Sequence, residues 1–113
     1  MDINELYKSL AILTALKNNV ALITGWVDEK YVKEFRNVLG KLTSIGLQVD
    51  EFDVPNTEVK PRQTSISRSG STYSHEKYID KYFLLTKIDS VLNYLNLILE
   101  KRPPELGFHK PDK

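Results

Sequence analysis

The chain has 113 residues, of which 41% are hydrophobic and 27% are charged, and its formal net charge is +1. This length and composition are typical of one soluble globular domain with a modest core. The small net charge argues against a dedicated nucleic-acid-binding protein, because such proteins usually carry a basic excess. The chain contains no cysteine, which excludes disulfides, thiolate metal sites and a cysteine nucleophile.

The N-terminal residues lack the basic start and apolar run of a signal peptide. No segment stays apolar over the roughly 18 residues that a membrane-spanning helix requires. We therefore expect a cytoplasmic protein without a membrane partner.

The first segment is predicted to form an amphipathic helix. Asp2 can cap it, and apolar residues follow at spacings of three and four: Ile3, Leu6, Tyr7, Leu10, Leu13 and Leu16. Asn18 could end the helix, or Val20 and Ile23 could extend it to Thr24. The continuing apolar stripe favours the longer helix.

The second helix has clearer boundaries. Asp28 can cap it, and Val27 and Val32 occupy the two positions of a hydrophobic staple. Apolar residues then recur at helical spacing as far as Ile45. Gly46 is predicted to end the helix in a left-handed conformation.

The third helix is predicted to begin between His75 and Tyr78 and to end near Lys101. It is apolar around most of its circumference, so more than one neighbour must cover it. Four residues would form an additional apolar seam, which predicts a homodimer interface: Leu84, Val91, Tyr94 and Ile98. Alternatively, a strap formed by residues 47–54 could cover this side.

A long polar connection separates the second and third helices. Connections of this length in a helical bundle are uncommon unless they are functional or disordered. A hairpin around Arg68, Ser69 and Gly70 could organise residues 64–74. The predicted fold is therefore mainly α, a three-helix bundle (residues 1–101) with polar loop 55–76 inserted between helices 2 and 3, followed by a proline-rich tail (102–113).

The polar connection is the candidate partner-binding segment, because it combines cations, hydroxyls and an aromatic ring. The candidate residues are Lys60, Arg62, Arg68, Tyr73, His75 and Lys77. Such groups contact phosphates and stack on bases, but a run of charge is more often a solvated surface. One glycine without a correctly placed lysine does not make a phosphate-binding loop.

Catalysis and metal binding have weaker support than association. His75, Glu76 and Asp80 would need a further metal ligand, and His109 is the only other imidazole. No serine lies in a pattern typical of an activated nucleophile. We therefore predict a non-enzymatic protein-interaction or regulatory module that self-associates through its third helix, with no cofactor and no metal. The alternative is a nucleic-acid-binding accessory protein that uses segment 60–81.

Overall fold

The computed structural model describes residues 2–67 and 70–101, and it describes segments 63–67 and 71–75 by their backbone alone. As predicted, the protein is mainly helical, with a short hairpin between its second and third long helices. The elements in chain order are helix α1 (Ile3–Ala21), strand β1 (Trp26–Asp28), helix α2 (Glu29–Ser44), strand β2 (Lys60–Ser67), strand β3 (Gly70–Asp80) and helix α3 (Lys81–Glu100). Two 3-10 turns, Asp50–Phe52 and Asn56–Glu58, lie between α2 and β2.

Helix α1 begins at its predicted cap, where the Asp2 carboxylate accepts a hydrogen bond from the backbone N–H of Glu5 at 3.1 Å. It ends at Ala21, beyond Asn18 and short of Thr24. The apolar stripe explains why it passes the asparagines, because Val20 is fully buried. The helix therefore ends between its two predicted limits.

Helix α2 follows the prediction at both ends. The Asp28 carboxylate accepts a hydrogen bond from the backbone N–H of Lys30 at 2.8 Å, and Val27 and Val32 are both fully buried. At the other end Gly46 has φ +99°. The backbone N–H groups of Gly46 and Leu47 donate to the carbonyls of Thr43 and Leu42, which is the Schellman arrangement.

The three strands form an antiparallel sheet in the order β1-β3-β2. Strand β1 pairs with the last three residues of β3, with Val27 opposite Ile79. Strand β2 pairs along β3 from Lys60 opposite Tyr78 to Ser67 opposite Gly70, with two irregularities in register. The hairpin is thus longer than predicted, and most of the segment 55–76 that we expected to be loop is strand.

Helix α3 begins at Lys81, later than the predicted start between His75 and Tyr78. The helix starts later because residues 78–80 pair with β1 and therefore belong to strand β3. The Asp80 carboxylate then accepts a hydrogen bond from the backbone N–H of Phe83 at 3.0 Å and caps the helix. Its far end, Glu100, lies within one residue of the predicted end.

The core lies between the three helices and continues under the sheet and the strap (residues 47–54). The helices contribute these buried apolar side chains: Leu6, Leu13, Leu16, Val20, Val32, Phe35, Val38, Leu39, Leu42, Leu84, Ile88, Val91 and Leu95. Leu47, Val49 and Val54 of the strap are buried as well. The Phe52 ring lies 5.5 Å from the Tyr94 ring, between centroids, so the strap covers one side of α3.

The hydroxyl of Ser9 is a defect in this core. Ser9 is fully buried on α1, and its Oγ has no hydrogen-bond partner among the residues that the structure describes. A buried polar group without a partner costs about 1–3 kcal/mol. We therefore expect Ser9→Ala to raise the free energy of unfolding, by about 1 kcal/mol, in urea denaturation. A loss of stability instead would show that the hydroxyl has a partner in solution.

No helix in the described part of the chain is long and apolar enough to cross a membrane.

Candidate functional site

The sheet has one face against the core and one face toward solvent. Val27, Val59 and Ile79 are buried, and they mark the inner face. Since side chains alternate along a strand, the neighbours of Val27 and Ile79 project outward. The outer residues are called here the sheet face: Trp26 and Asp28 from β1, Lys60 and Arg62 from β2, and Glu76, Tyr78 and Asp80 from β3.

Trp26 and Arg62 meet on the sheet face although two strand spacings separate their backbones. The Arg62 guanidinium carbon lies 5.4 Å from the centroid of the Trp26 ring, a cation–π arrangement. The Trp26 side chain remains 37% exposed, and Arg62 is exposed. The contact therefore holds a large aromatic surface and a positive charge together at the surface of the protein.

Tyr78 lies at the centre of the sheet face. Its hydroxyl donates a hydrogen bond to the Glu76 carboxylate at 3.0 Å. This bond raises the pKa of Tyr78, and desolvation and the charges of Glu76 and Asp28 raise it further, while Arg62 acts in the opposite direction. The phenol is thereby held in its neutral form and stays a hydrogen-bond donor into alkaline solution.

The raised pKa of Tyr78 predicts an alkaline transition that depends on Glu76. A pKa that is higher in the folded protein stabilises it fully below the unfolded value, and that stabilisation is lost as pH rises through the folded pKa. We expect Glu76→Gln to lower the pKa of Tyr78, because the carboxylate acceptor and its charge are removed. Ultraviolet absorbance is titrated against pH for each protein with and without Tyr78→Phe. The difference between the two curves gives the ionisation of Tyr78. An unchanged difference curve would contradict the bond.

The acidic groups around the sheet face are engaged within the chain. The carboxylates of Asp28 and Asp80 cap α2 and α3, and Glu76 accepts from Tyr78. Three lysines stand on or beside the same strands: Lys60, Lys77 and Lys81. None of the three forms an ion pair within the described residues, whereas Lys17 pairs with Asp89 and Arg36 with Asp53.

The structure separates the residues that the sequence grouped as one partner-binding segment. Lys60 and Arg62 lie on the sheet face, whereas Lys77 belongs to the opposite side of β3 and is exposed. Tyr73 and His75 lie in β3, where the backbone alone is described. Arg68 and the tail 102–113 lie outside the described residues.

Trp26 is the functional candidate that sequence reasoning missed. A signal was present, since it is the single tryptophan of the chain and stands two residues before a helix cap. Its connection to Arg62 depends on the pairing of β1 with β3, which a local pattern does not show.

The four residues predicted to form a dimer seam do not share one exposed surface. Leu84 and Val91 are fully buried within a single chain. Tyr94 and Ile98 are half-buried, and Tyr94 packs against Phe52 of the strap. Leu84 and Val91 are therefore core residues of a single chain. A homodimer stays a prediction, and it retains only Tyr94 and Ile98 from the original seam.

Across residues 2–67 and 70–101, no group of three or more histidine or acidic side chains is placed to hold a metal ion. Comparison with protein families, with curated proteins and with solved structures finds no match to this chain.

Proposed function

We propose that the protein is a small non-enzymatic interaction module and that it contacts its partner through the sheet face. The observation that carries this proposal is the exposed Trp26 ring beneath the Arg62 guanidinium. Tryptophan and tyrosine are enriched at interfaces, because each combines a large apolar ring with a polar group that can form a hydrogen bond. Tryptophan, tyrosine and arginine are also the residues that dominate the energetics of interfaces.

The local architecture supports a preorganised contact surface. Trp26 and Tyr78 project from paired strands, and the inner face of those strands is anchored by Val27 and Ile79 in the core. Side chains fixed on rigid elements lose little conformational entropy when they bind. The sheet face can therefore engage a partner without a change in the fold.

Site-specific photocrosslinking tests the proposal without assuming the class of partner. A photoreactive phenylalanine analogue replaces Trp26 in the protein expressed in its native cells. The same analogue replaces Tyr7 as the matched control, since Tyr7 is an aromatic residue of similar exposure, 38%, on α1. We expect an adduct from position 26 that position 7 does not give. Equal adducts, or none from position 26, would contradict the sheet face as the contact surface.

A further inference from the structure

We propose that the protein forms a dimer by strand addition, in which β3 of one copy pairs antiparallel with β3 of a second copy. The contact segment consists of residues 71–75 and is called here the open edge. These residues are not part of the sheet face, so the inference does not depend on the proposed function.

Strand β3 has a pairing strand along one side and along only part of the other. Strand β2 pairs with it as far as Ser67 opposite Gly70, whereas β1 pairs with residues 78–80 alone. Within the described part of the chain, no further strand joins this sheet. An uncovered strand edge presents backbone N–H and C=O groups that can pair with another chain. The open edge therefore fits an extended strand.

The hairpin that carries the open edge extends away from the helices. Helix α3 rises about 30 Å over its 20 residues, and β3 spans about 37 Å over its 11 residues. The long axis of the structure is 69 Å, so these two elements lie nearly end to end. Strand β2 packs chiefly on β3. A two-stranded ribbon with little support from other elements is marginally stable in water, so a further strand would stabilise it.

The two sides of the hairpin differ in their protection against pairing. On the outer side, β2 carries Lys60, Pro61 and Arg62. Proline and cations are among the features by which edge strands avoid pairing with other chains. The open edge has the sequence Ser-Thr-Tyr-Ser-His, with no proline and no lysine, arginine or acidic residue. These differences assign the contact to β3 rather than to β2.

A second copy of the chain fits the open edge by symmetry. Two identical segments that pair antiparallel are related by a two-fold axis, which is the commonest symmetry of soluble oligomers. With the axis at Tyr73, Ser71 stands opposite His75 of the second copy and Thr72 stands opposite Ser74. This register opposes no two like charges. The assembly also closes, because each copy uses its open edge once and the strands that remain at the edges are the protected β2 strands.

Cysteine crosslinking tests this register, because the chain contains no cysteine and each variant therefore carries a single thiol. Tyr73→Cys places two thiols opposite each other across the axis, at a separation of directly paired residues that allows a disulfide. We expect this variant to form a disulfide-linked dimer under mild oxidation before either control does. The controls are Ser65→Cys, which lies on β2, and Lys33→Cys, at an exposed position of α2.

Light scattering over a concentration series measures the equilibrium for the intact chain. We expect the mass to rise from 13.0 kDa toward twice this value. Tyr73→Lys should weaken dimerisation by about five- to tenfold, because it removes one cross-strand pair and opposes two like charges. Ser65→Lys places the same charge on β2 and should leave the dissociation constant unchanged. Circular dichroism shows whether each variant is folded, and the crosslinking of Tyr73→Cys decides if Tyr73→Lys is not.

Each outcome decides the inference. A dimer that Tyr73→Cys crosslinks first and that Tyr73→Lys weakens supports it. A chain that stays monomeric at high micromolar concentration overturns it, as does a dimer that Ser65→Cys crosslinks first, since that dimer pairs through β2. A dimer that Ile98→Ser weakens and Tyr73→Lys does not pairs through α3, which also overturns it. The photocrosslink at position 26 tests the proposed function separately.

Discussion

Leu95→Ala is expected to lower the free energy of unfolding by about 2–5 kcal/mol. Leu95 is fully buried in α3, where large-to-small substitutions lose transfer free energy and leave a cavity. It belongs to the row Leu84, Ile88, Val91 and Leu95, all fully buried in the hydrophobic core. Urea denaturation measures the effect, and the dependence of the unfolding free energy on urea concentration should equal that of the unsubstituted protein.

Leu97→Ala is the matched control for this substitution. Leu97 lies on the same helix, two residues away, and is 53% exposed. It should cost less than about 1 kcal/mol, since little apolar area is returned to water. Equal effects at the two positions would mean that α3 is rotated from the orientation described here. Leu92→Ala should fall between them because Leu92 is half-buried.

Arg36→Met is expected to destabilise the protein by about 1–3 kcal/mol and to loosen the strap. The Arg36 guanidinium donates to the Val54 carbonyl at 2.7 Å, to Asp53 Oδ1 at 3.0 Å and to Asn56 Oδ1 at 2.9 Å. Val54 is buried, and the substitution removes the hydrogen-bond donor of its carbonyl group. A carbonyl left without a donor away from water destabilises the fold. The Arg36–Asp53 ion pair contributes little by itself, because both side chains are partly exposed.

Hydrogen exchange separates the strap from the rest of the fold in this experiment. Amides of residues 47–54 should exchange faster in Arg36→Met, while those at the centres of α1 and α3 change less. Lys33→Met removes a charge from an exposed position one turn earlier on α2 and should have neither effect. If both variants behave alike, the guanidinium does not hold the strap.

The elements that sequence reasoning predicted well are those specified by neighbouring residues. In α2 the cap Asp28, the staple of Val27 and Val32, and the stop at Gly46 all lie within or beside the helix. Each acts through a hydrogen bond or a contact between residues close in the chain, so the local sequence predicts where the helix begins and ends. The same reasoning placed α1 and the far end of α3 within a few residues.

The errors occurred where distant segments pair. Ile79 continues the apolar stripe of α3, which favoured an early helix start, but Val27 of β1 holds it in a strand. Strand β1 has three residues, too few for alternation to be visible. Helical periodicity alone placed Leu84 and Val91 in the predicted dimer seam, although a single chain already buries both side chains.

For the same reason, the sequence predicted only those residues of the candidate site that lie in one continuous segment. Lys60 and Arg62 were identified because they stand in one polar segment. Trp26 is more than thirty residues away in sequence and reaches Arg62 only after the sheet has formed. A surface assembled from three strands has no continuous sequence signature.

The pairing of β1 with β3 has a kinetic consequence. Val27 and Ile79 are joined across a loop of about fifty residues, and closing such a loop costs chain entropy that is recovered only when the helices have docked. The β2–β3 hairpin has a smaller cost of this kind, because its strands are adjacent in the chain. Folding should therefore add β1 late, after the hairpin and the helix pairs have formed. Trp26 sits in β1, so its fluorescence should report the slowest step of refolding, later than the helical signal in circular dichroism.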